Sequence, residues 1–167
     1  MRYLSGLAVL FLFCLPKAQA QDMPAGDLGV SYSFFREGIT DGINDNGGTV
    51  AAAANLKPWV GLVGELGIYH ANPIGGSFNT FTYLFGPRFS YRSHSRVTPF
   101  AQVLLGGAHI AAGGGSANGF GYSAGGGLDF AITRRLAFRP QFDYIGIRSG
   151  GSTVNSLRAS AGIVFGF

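Results

Sequence analysis

The sequence predicts an all-β protein, an eight-stranded antiparallel up-and-down transmembrane β-barrel, and three observations carry that reading. Of 167 residues 47% are hydrophobic and only 12% are charged, about half the charge of an ordinary soluble domain. Mean hydropathy is positive, yet no apolar run of about 18 residues follows the N-terminal segment, so no helix is available to span a bilayer. Beyond residue 26 large apolar residues alternate with small or polar ones, the period of two expected of strands with one face in lipid. A chain that lives in lipid without spanning helices must close its sheet, because an open edge leaves backbone groups unsatisfied there.

Residues 1–20 read as a cleaved signal peptide. Arg2 precedes an apolar core over residues 7–15, and Ala18-Gln19-Ala20 offers small residues at the two positions a signal peptidase inspects. Pro16 and Lys17 end the run too early for an uncleaved anchor. Residues 21–167 then form the barrel. The lone Cys14 lies in the leader, after a Phe13 too large for a lipoprotein cleavage site, so the mature chain has no cysteine. Removing Arg2 and Lys17 leaves 10 bases against 8 acids, and the net charge falls from +4 to +2. No cluster of bases interleaved with aromatics exists, so nucleic acid is not an expected partner. Export without disulfides fits an envelope protein of a Gram-negative bacterium, placed in the outer membrane.

The elements follow in order. Strand one covers 27–36 and leads into a Gly- and Asn-rich loop, 37–47. Strand two, 48–56, contains a run from Val50 to Ala54 too uniform in Ala to orient, and turns at Lys57-Pro58 into strand three, 59–70. After a loop at 71–78, strand four, 79–92, has the clearest pattern. Phe81, Tyr83, Phe85, Pro87, Phe89 and Tyr91 share one face, against Thr80, Thr82, Leu84, Gly86, Arg88, Ser90 and Arg92 on the other. A turn at Ser93-His94-Ser95 opens strand five, 96–111, where Gln102 and His109 have opposite parity and a bulge at Gly106-Gly107 is expected to reset the alternation. The loop 112–117 precedes strand six, 118–132, with Phe120, Tyr122, Ala124, Leu128 and Phe130 facing away from Gly121, Ser123, Gly125, Gly127 and Asp129. Thr133-Arg134 turns into strand seven, 135–148, and the loop 149–153 into strand eight, 154–167. Pro87 and Pro140 each remove a ladder donor, so a local irregularity is expected at both. The longer loops are placed outside and the tight turns in the periplasm, with both termini.

The non-lipid face of the best-patterned strands carries Glu65, Arg88, Asp129, Arg139, Asp143 and Arg158, three acids and three bases. Residues opposite each other in a hairpin are equidistant from the middle of its turn. Asp143 and Arg158 average to 150.5, Asp129 and Arg139 to 134, and Glu65 and Arg88 to 76.5, each within a connection. Three lumen ion pairs are therefore expected, filling a barrel too narrow to hold more than its own side chains. Carboxylates matched with Arg in this way are held ionised, which argues against a catalytic or proton-carrying role.

The sequence offers no other constellation that carries chemistry. His70 and His109 fall near the outer strand ends and His94 in an inner turn, so no metal site joins them. Asp41, Asn44, Asp45 and Asn46 lack the alternate spacing and closing Glu of an EF-hand, and a hydrated turn ending at Asn46-Gly47 is the better account. The Gly-rich stretches at 112–115 and 125–127 lead into no helix with a Lys, so phosphate binding has no mechanism. No cofactor is expected.

Several blocks resemble a known family. Pro58-Trp59-Val60-Gly61, Glu65-Leu66-Gly67, Tyr83-Leu84-Phe85-Gly86-Pro87-Arg88-Phe89-Ser90, Arg96-Val97-Thr98-Pro99-Phe100-Ala101, Leu105-Gly106-Gly107-Ala108-His109 and Gly125-Gly126-Gly127-Leu128-Asp129 look like the outer-membrane β-barrel domain family, and more distantly the OmpA-type eight-stranded barrels. The resemblance covers essentially the whole mature chain. The end, Ser160 to Phe167, looks like the signal read by the barrel-assembly machinery, with Gly162, Phe165 and Phe167 as its carried-over positions. OmpA-type proteins often append a peptidoglycan-binding domain; none is expected here, nor anchoring by that route. Lipid A deacylases use a similar scaffold with a histidine and a serine two residues apart, a dyad absent around His94 and His70.

The expected function is non-enzymatic: a monomeric integral outer-membrane barrel with a structural or surface-display role of the adhesion type. Its partners are membrane lipid and, during insertion, the assembly machinery; the surface ligand of the loops is not legible. The alternative is a narrow, low-conductance pore, and a weaker one is a lipid-modifying enzyme.

Overall fold

The structure is a computed structural model. It describes residues 24–37, 43–71, 78–92, 96–112 and 115–167. The leader with Cys14, Asp41, His94-Ser95 and Gly113-Gly114 lie outside them.

Eight strands run in chain order: β1 (Gly26–Glu37), β2 (Ile43–Lys57), β3 (Val60–Ala71), β4 (Phe78–Ser90), β5 (Val97–Ala112), β6 (Gly115–Ala131), β7 (Leu136–Ser149) and β8 (Ser152–Gly166). Each pairs antiparallel with the next, and β1 pairs with β8 to close the barrel. Gly26 and Phe167 exchange both backbone hydrogen bonds, at 3.2 and 3.0 Å, and seal the seam at its end. Closure leaves no free edge, the condition for a sheet in hydrocarbon. Among the described residues no helix is long and apolar enough to cross a membrane.

The alternation sorts side chains as the period of two requires. On β4, Phe81, Tyr83, Phe85, Phe89 and Tyr91 are exposed, whereas Thr82, Leu84, Arg88 and Ser90 are buried. The Ala run of β2 is oriented by its neighbours: Val50, Ala52 and Ala54 point outward and Ala53 packs inside against Val63, its partner on β3. Val63, Leu84 and Leu104 extend this apolar patch over consecutive strands, and Tyr69, Ala108, Ile145 and Ile147 form a second.

Two strands start earlier than their sequence suggests, β2 at Ile43 and β6 at Gly115, because polar Asn and Gly residues pair above the apolar band. The last connection is tighter than a five-residue loop. Ser149 pairs with Ser152, and Gly150 and Gly151 have φ of 58° and 89°, the left-handed pair that a two-residue hairpin demands. The expected bulge at Gly106-Gly107 does not occur. The β5–β6 register is continuous from Val97 to Ala112, so Gln102 is buried and His109 faces outward. His109 is accommodated because it sits near the rim, hydrogen-bonded to Asn118 at 2.7 Å; His70 is matched likewise by Asn79 at 2.7 Å. Pro87 and Pro140 interrupt one ladder each. The β4–β5 pairing passes from Phe85↔Leu105 to Arg88↔Gln102, and the β6–β7 pairing from Gly127↔Gln141 to Phe130↔Phe138, with the register kept across both gaps.

Candidate functional site: the charged lumen

Each lumen charge sits on the inward parity of its strand, and the barrel wall brings charges from distant strands together. Asp143 and Arg158 are direct register partners on β7 and β8. The Arg158 guanidinium donates to Asp143 Oδ2 from Nε at 3.0 Å and from Nη2 at 2.7 Å. Its Nη1 donates to Glu65 Oε1 at 2.6 Å and to the Tyr69 hydroxyl at 2.7 Å, both on β3. Gln141 Nε2 donates to both Asp143 oxygens, at 3.0 and 2.9 Å. Arg158 is 1% exposed and Glu65 and Asp143 only 4% and 3%, so this is a desolvated charge cluster whose lone pairs are largely occupied, as burial requires.

A second cluster lies nearer the end that carries the chain termini. Arg139 donates to Asp129 from Nε at 2.5 Å and from Nη2 at 2.7 Å, a bidentate contact of the strong kind. Asp27, on β1, accepts from Arg88 Nη1 at 3.1 Å and from Arg139 Nη2 at 3.4 Å. Arg88 Nε donates to Gln102 Oε1 at 3.2 Å. Phe100 lies against both arginines, with the guanidinium of Arg88 4.9 Å and that of Arg139 4.8 Å from its ring centroid. The ring attracts both cations through its quadrupole.

One expected pair is corrected. Glu65 and Arg88 are both buried in the lumen, but they are not partners: Glu65 stands opposite Leu84, and Arg88 opposite Gly61. The β3–β4 hairpin is centred two residues earlier than the pairing assumed, which moves the partner positions by four residues, more than one side chain can bridge. Glu65 is taken instead by Arg158 and Arg88 by Asp27.

Asp27, Phe100, Gln102, Gln141 and Tyr69 were not among the expected lumen ion-pair residues. Asp27 had a legible signal, since it shares parity with Gly29, Ser31 and Ser33 against the exposed Leu28, Val30, Tyr32 and Phe34. With Asp27 the lumen holds four acids against Arg88, Arg139 and Arg158, and Arg92 at the mouth supplies the fourth base. Arg92 donates to Pro58 O and Asn55 Oδ1, both at 3.0 Å. Burial lowers its pKa from the ordinary guanidinium value, against the pull of Asp27 and Asp129, and an Arg stays charged regardless.

A cavity of about 270 Å³ opens at this end, lined among others by Asp27, Arg92, Asp129, Arg134 and Arg139. The glycines at 125–127 thin the wall beside it: a Cβ on Gly125 would collide with Asp143 and one on Gly127 would stand 3.0 Å from the Phe100 ring. Among the described residues no group of three metal-ligating side chains assembles. Gly162, Phe165 and Phe167 lie on β8 and just after it. Phe165 and Phe167 point outward, and a Cβ on Gly162 would collide with Ser31 on the neighbouring β1.

Solved structures share the architecture. Neisserial surface protein A superposes with a TM-score of 0.76 at 14% identity, over 86% of this chain and 97% of that one. Ail, the attachment invasion locus protein of Yersinia pestis, gives 0.60 at 18% identity over 86% and 99%. The outer membrane protein OprG of Pseudomonas aeruginosa gives 0.60 at 8% identity over 87% and 97%. No curated protein sequence matches the chain significantly. The family model described as "Outer membrane protein beta-barrel domain" matches residues 5–167. The closed antiparallel sheet, with exposed apolar side chains outside it, agrees with that match, and the chain belongs to the outer membrane protein β-barrel domain family.

Proposed function

We propose that this is a non-enzymatic integral outer-membrane barrel whose role is structural or surface display rather than conduction. The carrying observation is the occupied lumen: Arg158 joined to Glu65, and Asp27 joined to Arg88 and Arg139, tie strands that are not neighbours, and Arg158 also holds Asp143 on the adjacent strand. An eight-stranded barrel has little interior to spare, and any ion passing through would have to part these buried pairs, each held by several kcal/mol. Planar-bilayer recording tests this. The plugged reading expects a silent membrane, and steady openings of uniform size would overturn it in favour of the narrow pore.

Display is favoured over a purely structural role by the company of the fold, since Ail is an attachment protein and one of its structures holds a heparin analogue. A deletion strain separates the two: an adhesion defect alone supports display, and sensitivity to detergent supports membrane stabilisation. An enzymatic role would appear as a mass change in lipid A on overexpression, and none is expected. Cleavage of residues 1–20, periplasmic placement of both termini, a monomeric state and recognition of Gly162, Phe165 and Phe167 by the assembly machinery belong to the same reading.

A further inference from the structure

The charges outside the lumen are unevenly divided between the two ends. The three connections at the end bearing the termini carry Lys57, Arg92, Arg96, Arg134 and Arg135 and no acid. Among the described residues the opposite end carries the positions Arg36 and Arg148 alongside Glu37 and Asp45. Of the five bases, Arg92 is committed to Pro58 and Asn55. Lys57 and Arg96 are exposed and have no acidic partner among the described residues.

Beside Lys57 the outer surface carries a shallow apolar groove. Trp59 stacks on Phe89 with ring centroids 6.2 Å apart, and Tyr91 lies against Pro99, its amide bonded to the Pro99 carbonyl at 2.9 Å. Between these walls, with the small Ala101 among its lining residues, runs an apolar groove of about 410 Å³. Lys57 Nζ sits over the Trp59 ring, 5.9 Å from its centroid. Tryptophan and tyrosine settle at the level of lipid headgroups, and long basic side chains extend from there toward the phosphates. A hydrocarbon groove with a cation over one of its walls is complementary to one class of molecule.

We propose that the groove between Trp59 and Tyr91 binds an acyl chain of an anionic phospholipid whose phosphate is engaged by Lys57. The proposal rests on the membrane-embedded reading, and it assigns the anionic lipid to the leaflet facing the terminal end.

Trp59 is the single tryptophan of the chain, so it reports on its own groove. The full chain is refolded into phosphatidylcholine vesicles containing equal fractions of brominated phosphatidylglycerol or brominated phosphatidylcholine, and quenching of Trp59 is compared. Stronger quenching by the anionic lipid is expected, and high salt should weaken it. Lys57→Gln should lower the preference by about fivefold, whereas Arg36→Gln with Arg148→Gln should leave it intact. Ala101→Phe, which fills the groove without touching charge, should reduce quenching by both lipids. Equal quenching by the two lipids in the unmodified protein, or equal loss in Lys57→Gln and in the Arg36→Gln, Arg148→Gln variant, overturns the site. Absence of both quenching and a heat-modifiable band in any vesicle overturns the membrane reading itself, and the proposal with it.

Discussion

Arg158 and Glu65 stand three strands apart around the ring, on β8 and β3, yet their charged groups meet at 2.6 Å. The same guanidinium grips Asp143 on its neighbouring strand at 2.7 Å. One side chain therefore serves both a local hairpin and the closure of the barrel on itself. Each acid would be costly to bury alone, so the cluster stabilises the closed ring as a unit.

Replacing Arg158 by Met strands two carboxylates in the lumen. The expected loss is about 3–5 kcal/mol, seen as a lower urea midpoint of the refolded barrel followed by cold and heated gel mobility. An unchanged midpoint would contradict the cluster. Adding Glu65→Gln and Asp143→Asn to the Met variant should restore part of the loss.

The corrected pairing makes its own prediction. A double-mutant cycle between Glu65→Gln and Arg158→Gln should show a coupling of about 0.5–3 kcal/mol, while Glu65→Gln and Arg88→Gln should be additive within about 0.5 kcal/mol. The reverse result would restore the hairpin in which Glu65 and Arg88 face each other.

The contrast between these pairs shows what could be read from the sequence. The midpoint rule is as sharp as the turn is short. For Asp143 and Arg158 the midpoint falls between Gly150 and Gly151, the two residues with positive φ, so little else was possible. For Glu65 and Arg88 it fell in a connection of several residues, where centres two residues apart satisfy the rule equally, and the structure selects the other one. Strand identity and facing were legible because lipid enforces a period of two. Contacts across the lumen, such as Arg88 with Asp27, depend on strand tilt and ring closure, which no local pattern encodes. The bulge at Gly106-Gly107 was inferred from His109, on the assumption that a polar side chain cannot face outward; near the rim it can, given Asn118 beside it.

Phe100 offers a test of the terminal-end cluster that leaves every charge in place. Phe100→Leu keeps the side chain apolar but removes the ring that stands 4.9 and 4.8 Å from two guanidinium groups. Lost cation–π attraction and a small void should together cost about 1–3 kcal/mol. Phe100→Tyr should cost less, and a Leu variant as stable as the parent would show that the ring only fills space.

Phe167 separates assembly from stability. Its backbone closes the seam with Gly26, but its side chain points outward. Phe167→Ala keeps the backbone bonds, so refolding into vesicles in vitro should be nearly normal. In cells the same variant should accumulate unassembled if the aromatic terminus is the feature the machinery reads. Normal heat-modifiable barrel in the outer membrane would remove that role from Phe167.

The outer surface carries a last device. Tyr122 lies flat over Gly146, its partner on β7, and its hydroxyl continues to Asn155 Oδ1 on β8 at 3.3 Å. The outward-facing Asn155 is thereby given a donor from two strands away, which a side chain on Gly146 would prevent, since a Cβ there would collide with the Tyr122 ring. Tyr122→Phe should cost about 0.6–2 kcal/mol, the range for a side-chain hydrogen bond in a membrane. Gly146→Ala should cost more, because it displaces the ring as well as the bond. Combining the two should cost less than their sum, since the hydroxyl is already lost once the ring has moved. Full additivity in the urea midpoints would mean that Tyr122 and Asn155 do not interact in the membrane.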